Sequence, residues 1–214
     1  MSERAQGTAA RLNDLLAEAG LEPLAGEVAS RFAEYCSLLL RWNARVNLTA
    51  IRDEEGVLSR HFVESIACAR ALPQGTGTLL DFGSGGGFPG IPIALCRPEI
   101  AVTLAESQGK KAAFLQEALR VVGVSAKVHS GRAEGLGRSF DCVTLRAVDR
   151  MGRAVHSAAE LVGPGGWLAL MTTGGALEKL KAAAGAGLDW RSTTALPGSD
   201  RLLALAERRL SAPA

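Results

Sequence analysis

Leu79-Leu80-Asp81-Phe82-Gly83-Ser84-Gly85-Gly86-Gly87-Phe88-Pro89-Gly90-Ile91-Pro92 reads as a buried strand, a glycine loop and the start of a helix. In an open α/β sheet, ligands bind in the crevice beyond the carboxyl ends of the strands. Glycines let backbone approach a ligand without a Cβ in the way. The dinucleotide fingerprint G-x-G-x-x-G fails when started at Gly83, because Phe88 stands at its sixth position. Started at Gly85 it matches through Gly87 and Gly90. That frame lies two residues further from the strand and contains Pro89, which has no N–H to offer a phosphate. A P-loop is excluded, since no Lys-Ser/Thr follows the loop.

Outward from this stretch, short apolar runs alternate with helical patterns. TLLDFG precedes a helix through Ile91–Cys96, and AVTLAE precedes one through Lys110–Val122. AKVHS follows. FDCVTLRA leads to a helix from about Arg150 to Leu161, and GWLALMTT to one around Leu177–Ala184. LDWRSTTAL and DRLLALAERR finish the chain as two more strands. This alternation predicts a doubly wound, mostly parallel α/β sheet of about seven strands, Rossmann-like in its layers. Both faces of such a sheet are covered, hence the continuous apolar runs. Pro73-Gln74-Gly75-Thr76-Gly77 is a break. Before it, helical periodicity appears in RLNDLLAEAG, from Gly26 to Val46, and from about Glu55 to Ala71. The expected organisation is a helical extension over 1–72, packed on a ligand-binding core over 73–214 as one structural unit.

Hydrophobic residues make up 47% of the 214 and charged residues 21%, enough to bury a full core. Net charge is +2, divided as −2 up to residue 74 and +4 after it. A general nucleic-acid binder is far more basic, so any polyanion must meet a local patch. Cys36, Cys68, Cys96 and Cys142 lack the spacing of a metal or redox pair; reduced, mostly buried thiols and no metal are expected. No signal-peptide pattern opens the chain, and no apolar run reaches the ~20 residues that cross a bilayer. A cytoplasmic monomer without membrane contact is the expectation.

Read from Gly83, the loop is G-x-G-x-G with an acid two residues before it. This resembles motif I of Rossmann-like methyltransferases, whose S-adenosylmethionine carries no phosphate. Asp81, Gly83, Gly85 and Gly87 are the matching positions, with Asp81 available to the cofactor ammonium. Glu106 ends the second strand, 19 residues after Gly87. A carboxylate there accepts hydrogen bonds from two ribose hydroxyls, as in dinucleotide folds; the competing role is capping the next helix. Gly131-Arg132-Ala133-Glu134 follows the third strand, where this fold reaches an adenine.

The match extends beyond the fold. Phe88-Pro89-Gly90-Ile91-Pro92-Ile93, Trp42-Asn43 with Val46-Asn47-Leu48-Thr49, and Arg60-His61-Phe62-Val63-Glu64-Ser65-Ile66 closely resemble the glucose-inhibited division protein B family. So do Ser107-Gln108-Gly109-Lys110-Lys111 with Phe114-Leu115, and Arg146-Ala147-Val148. The resemblance spans about residues 12–210. It implies methylation of guanine N7 in small-subunit (16S) ribosomal RNA, naked or in the assembled small ribosomal subunit. It implies S-adenosylmethionine contacts at Gly83, Phe88, Ala133, Glu134 and Arg146, with Ser107 beside them. His61, Lys110 and Lys111 are placed near the site. The family often carries Leu at Phe88 and Asp at Glu106. Many members have Lys-Gly where Met171-Thr172-Thr173-Gly174 stands, and His after Arg201 where Leu202 stands.

Several positions stay open on residue chemistry alone. His61 is a base, an RNA contact or a structural residue. Lys110 and Lys111 open a helix as solvated charges or as phosphate ligands, and Arg132 joins them as an RNA candidate. Arg146 sits past the fourth strand, where a burial-prone arginine needs a partner. Tyr35 and Trp42 read as core or as a stacking platform. No catalytic residue is fixed; Arg146 and His61 are the candidates. Two other readings remain: a nicotinamide oxidoreductase using the Gly85–Gly90 frame, and a non-enzymatic RNA- or ribosome-binding protein on the same fold.

Overall fold

The computed structural model describes residues 3–210; Met1, Ser2 and 211–214, the outer ends of the two expected segments, lie outside the described residues. Helix α1 (Glu3–Glu18) and α2 (Gly26–Asn43) lead into a short α3 (Glu54–Gly56), a π-helical stretch (Val57–Val63) and α4 (Glu64–Ala71). Strands and helices then alternate as β1 (Thr78–Phe82), α5 (Gly90–Cys96), β2 (Ala101–Ala105), α6 (Gly109–Val122) and β3 (Lys127–His129). A 3₁₀ turn (Ala133–Leu136), β4 (Phe140–Arg146), α7 (Met151–Glu160), β5 (Val162–Thr173) and α8 (Gly174–Ala184) follow, and β6 (Leu188–Ala195) and β7 (Arg201–Arg208) close the sequence of elements.

The seven strands form one sheet in the order β3-β2-β1-β4-β5-β7-β6. The first five are parallel, and β7 inserts antiparallel between β5 and β6. The doubly wound expectation stands, and all seven apolar runs are strands. The order 5-7-6 was not legible, because nothing local tells β7 to prefer β5 as a neighbour.

Period-two alternation sorts the strand residues between two cores. Leu79, Val102, Leu104, Cys142, Ala169, Met171, Leu203 and Leu205 join one apolar cluster, together with Leu12, Phe32, Tyr35, Leu39, Phe62 and Ile66 of the N-terminal helices. Leu80, Phe82, Val143, Leu145, Leu168, Leu170 and Ala204 face α7 and α8 in the other. Asp81, Thr144 and Arg146 share the parity of Leu79 and Cys142, so their side chains fall on the face covered by the N-terminal helices. Helix α2 earns its place through Phe32, Tyr35, Cys36 and Leu39, all fully buried on one stripe.

Two departures are local. Helix α1 starts at Glu3, earlier than the periodicity from Arg11 suggests; its first turns bury only small Thr8 and Ala9, which leave little apolar signal. The third helical stretch contains the π turn, for which the sequence carries no marker. The cysteines are free, and burial pushes the Cys36 and Cys68 thiols up to about 12. Among the described residues no helix is long and apolar enough to cross a membrane.

Candidate functional site

The carboxyl edge of the parallel strands opens into one cleft of about 890 Å³. The glycine loop forms its floor. Gly83, Gly85 and Gly87 all have positive φ, which glycine adopts without penalty. They differ in surroundings. A methyl at Gly85 would meet nothing nearer than the Gly83 carbonyl at 3.9 Å, so that side faces open cleft. At Gly87 it would strike the Tyr35 hydroxyl at 2.5 Å and Ile91 at 2.6 Å. Gly87 therefore serves packing and does not line the cleft.

Glu106 sits at the cleft wall, 7% exposed. Its Oε2 accepts from Gly85 N–H at 3.0 Å and its Oε1 from Gln108 N–H at 2.7 Å. The carboxylate thus ties the glycine loop to the residue before α6. Each oxygen keeps a further lone pair for a ligand hydroxyl.

Asp81 departs from expectation. It is 1% exposed and absent from the cleft wall. Its oxygens accept from Gly90 N–H at 3.1 Å and Thr144 Oγ at 2.9 Å. Burial outweighs these bonds and raises its carboxyl to about 6. Asp81 pins the start of α5 from below and offers the cleft nothing directly. The Pro89 of the shifted frame supplies no N–H and the Gly90 N–H is taken by Asp81, so the nicotinamide reading is not favoured.

The opposite wall comes from the N-terminal helices. Buried Asn43 accepts from Leu48 N–H and Thr49 N–H at 2.9 and 3.0 Å and donates to the Ile51 carbonyl. This folds the segment after α2 so that Thr49 Oγ meets His61 Nε2 at 2.7 Å. The His61 ring stacks on Phe88, with centroids 4.5 Å apart and planes 24° apart. Burial, reinforced by Arg146, Arg201 and Arg60, lowers its pKa to about 3. His61 is a neutral ring in the cleft wall.

Arg146 ends β4, 7% exposed, with its guanidinium 5.8 Å from the Phe88 centroid. One nitrogen donates to Glu64 at 2.7 Å and to the Arg60 carbonyl at 2.8 Å. Desolvation brings its pKa down to about 10, opposed by Glu64. Glu64 is fully buried and was given no separate role by the sequence reading. Its only sequence signal is the i,i+4 spacing to Arg60; the links to Arg146 and Arg201 need the folded sheet.

Ser107, Lys111, Arg132, Ala133 and Glu134 also line the cleft, whereas Lys110 is exposed on α6 outside it. Arg150 and Arg153 add positive charge to the wall, and Ala147 and Arg150 take positive φ there. Tyr35 is core: it stacks on Phe62 at 5.2 Å and is fully buried. Trp42 is half-buried and donates to Glu117 at 3.1 Å. Among the described residues, no cluster of His, Cys, Asp or Glu could hold a metal ion.

The model of the family described as rRNA small subunit methyltransferase G matches residues 29–186. The chain belongs to this family. Ribosomal RNA small subunit methyltransferase G of Xanthomonas campestris pv. campestris (strain B100) is 40% identical over 167 residues, covering 77% of this chain and 76% of that protein. Its counterpart in Stenotrophomonas maltophilia (strain K279a) is 42% identical over 166 residues, 76% of each. The one in Roseiflexus sp. (strain RS-1) is 48% identical over 125 residues, 55% of this chain and 53% of that protein. In architecture the chain is similar to TYW2 of P. horikoshii in complex with MeSAdo, with a TM-score of 0.57 at 14% identity, over 70% of this chain and 63% of that one. A predicted O-methyltransferase from Agrobacterium tumefaciens gives a TM-score of 0.55 at 21% identity, over 69% and 83%. These likenesses show the fold, a Rossmann-like α/β sheet flanked by helices.

The protein is an S-adenosylmethionine-dependent methyltransferase of this family, and the residues present suit that cofactor. Gly85 leaves room at the loop, Glu106 presents lone pairs beside it, and Ala133 and Glu134 line the same cleft.

Proposed function

We propose that the protein methylates N7 of a guanine in small-subunit (16S) ribosomal RNA. The observation that carries this is the pairing of Glu106 and the open side of Gly85 with a cleft wall bearing Arg60, Lys111, Arg132, Arg146 and Arg201. In a chain of net charge +2, seven of the 24 Lys and Arg line this one cleft against three acids, a local positive excess of the kind a polyanionic substrate requires.

Glu106 would hold the ribose hydroxyls. Gly83, Gly85 and Phe88 would pass beside the cofactor, and Ser107, Ala133 and Glu134 would flank its adenine end. Arg146 would face it from β4. S-adenosylmethionine, when bound, supplies an electrophilic methyl group on a sulfonium sulfur. Guanine N7 is an in-plane lone pair with no proton to lose. No general base is needed, which suits a cleft whose histidine is locked neutral by burial and stacking. The chain's work is then to orient the two reactants, a contribution of up to roughly 7–11 kcal/mol. The His61 ring, backed by Phe88, would be the aromatic surface of the cleft nearest to an extruded base. Lys111 and Arg132 at the rim, with Lys110 beside them, would steady the RNA backbone.

We place the protein in the cytoplasm as a monomer, folding as one unit, with either naked RNA or the small subunit as substrate. The deciding experiment maps N7-methylguanine in ribosomal RNA from cells with and without the gene. Transfer by purified protein is then compared on naked 16S RNA and on assembled small subunits. Absence of any gene-dependent N7-methylguanine overturns the assignment.

A further inference from the structure

Three arginines converge on one buried carboxylate. Glu64 lies 2.7 Å from Arg146, 3.4 Å from Arg201 and 3.9 Å from Arg60. They arrive from separate elements: Arg60 from the π turn, Arg146 from the end of β4, Arg201 from the start of β7. The register that sets Arg201 opposite Thr173 carries it to the carboxyl edge of the sheet. All three line the cleft.

The charges do not balance. Among the described residues Glu64 is the only carboxylate within 4 Å of the three, and Asp81 is a further electrostatic partner of Arg146 alone, so Arg60 and Arg201 share what Glu64 leaves. Glu64 is completely buried, and the side chains of Arg146, Arg201 and Arg60 are 4%, 25% and 47% exposed. Charge held out of water without a counter-charge is expensive. The Nε of Arg146 is buried and has no hydrogen-bond partner. The neighbouring His61 ring registers the same excess, since all three arginines oppose its protonation.

We infer that this cluster is a seat for an oxyanion: a phosphate of the RNA strand bearing the target nucleotide, held by Arg60 and Arg201. Glu64 is the positioning residue for Arg146 and Arg201, whose guanidinium groups donate to it at 2.7 and 3.4 Å, while Arg60 stands 3.9 Å away. The inference rests on the RNA reading above. A phosphodiester offers two oxygens to a planar guanidinium fork, and a fork already oriented by a carboxylate loses little freedom on binding. The partly exposed Arg60 and Arg201 can be reached by a polymer, whereas Arg146 lies deeper against Phe88. One other source has the same chemistry, the carboxylate of the cofactor's methionine end.

The test uses the full chain with Arg60→Gln and Arg201→Gln combined, since Glu64→Gln risks the fold. Binding of a 16S RNA fragment is followed against salt, alongside binding of S-adenosylmethionine and of 5′-methylthioadenosine, which has no carboxylate. The expected double variant loses roughly 0.7 from the log–log salt slope, the value for one neutralised phosphate of single-stranded RNA. Its affinity for both small molecules stays at the wild-type level. An unchanged salt slope overturns the seat. An unchanged slope with weaker S-adenosylmethionine but unaltered 5′-methylthioadenosine assigns it to the cofactor carboxylate instead. Wild-type protein that neither binds nor methylates the RNA overturns the RNA reading itself, a result separate from any variant.

Discussion

The Tyr35 hydroxyl, on the second helix of the N-terminal segment, donates a hydrogen bond to the Gly86 carbonyl in the glycine loop. The Tyr35 ring also packs against Phe88, the residue that ends the loop, with centroids 5.6 Å apart. The helical extension therefore clamps the cofactor loop from behind. Tyr35→Phe keeps the rings and removes the bond, leaving a buried carbonyl unpaired at a cost of about 1–3 kcal/mol. Urea unfolding should register that loss, and calorimetric titration should show weaker S-adenosylmethionine binding. Wild-type cofactor affinity in this variant would limit the bond to a structural role.

Gly85 and Gly87 should separate binding from folding. Gly85→Val projects into the cleft and should abolish cofactor binding, with a strain of about 1–2 kcal/mol from its positive φ. Gly87→Ala collides with Tyr35 and Ile91 and should show its main effect as a lowered melting temperature. Full cofactor affinity in Gly85→Val would remove the loop from the binding site.

Glu106→Ala should weaken S-adenosylmethionine by about 1–3 kcal/mol, the range for charged hydrogen bonds. Part of that comes from freeing the loop, because Gly85 loses its acceptor. A 2′-deoxyribose analogue isolates the rest: it should bind poorly to the wild type and no worse than the parent cofactor to the variant. An equal deficit in both proteins would rule out the ribose contact.

Stability should depend on pH through two buried groups of opposite sign. The folded protein holds His61 neutral down to about 3, while the unfolded chain protonates it near its ordinary value of 6.5. The unfolded state then carries the extra proton, and this contribution is lost as pH falls from 6.5 toward 3. Asp81 is the reverse. Its carboxyl titrates at about 6 when folded and at 3.8 when unfolded, so its contribution is lost as pH rises through that window. Each slope is roughly 1.4 kcal/mol per pH unit where the proton counts differ by one, so the two cancel between about 4 and 6. His61→Gln should expose the Asp81 slope: unfolding free energy should fall with rising pH in the variant and stay flatter in the wild type. Parallel curves would contradict the burial of one of these groups.

Reversing Lys110 and Lys111 to Glu should weaken RNA and flatten its salt dependence, and the structure ranks the two. Lys111 lines the cleft and Lys110 does not. Single reversals should show the larger change in salt slope at Lys111; equal effects would place the RNA path across the outer face of α6.

Much of the fold was legible because a sheet covered on both sides leaves continuous apolar runs, and Gly, Pro and Asn break them. The glycine loop and Glu106 were legible because both follow directly from strand ends. Asp81 was misplaced for a specific reason. Its distance from Gly83 says nothing of direction, whereas its shared parity with Leu79 sends it beneath the helices. Glu64 could not be assigned, since its partners Arg146 and Arg201 are 82 and 137 residues away in sequence. The π turn that presents Arg60 and His61 to the cleft is a backbone choice made by packing, with no residue type to announce it.

The place of β7 bears on how a new copy comes into being. It is the last described strand to leave the ribosome, yet it lies second from the sheet's edge, between two strands made earlier. Until it inserts, β5 presents an open hydrogen-bonding edge, and β6 has no neighbour in the sheet. Its ladder partners lie 28 to 40 residues back on β5 and 7 to 20 back on β6, so both pairings wait for the last strand to be made. Arg201 travels on that strand. A nascent chain can already bring Glu64 and Arg146 together, but its third guanidinium reaches them only when the final strand is threaded home.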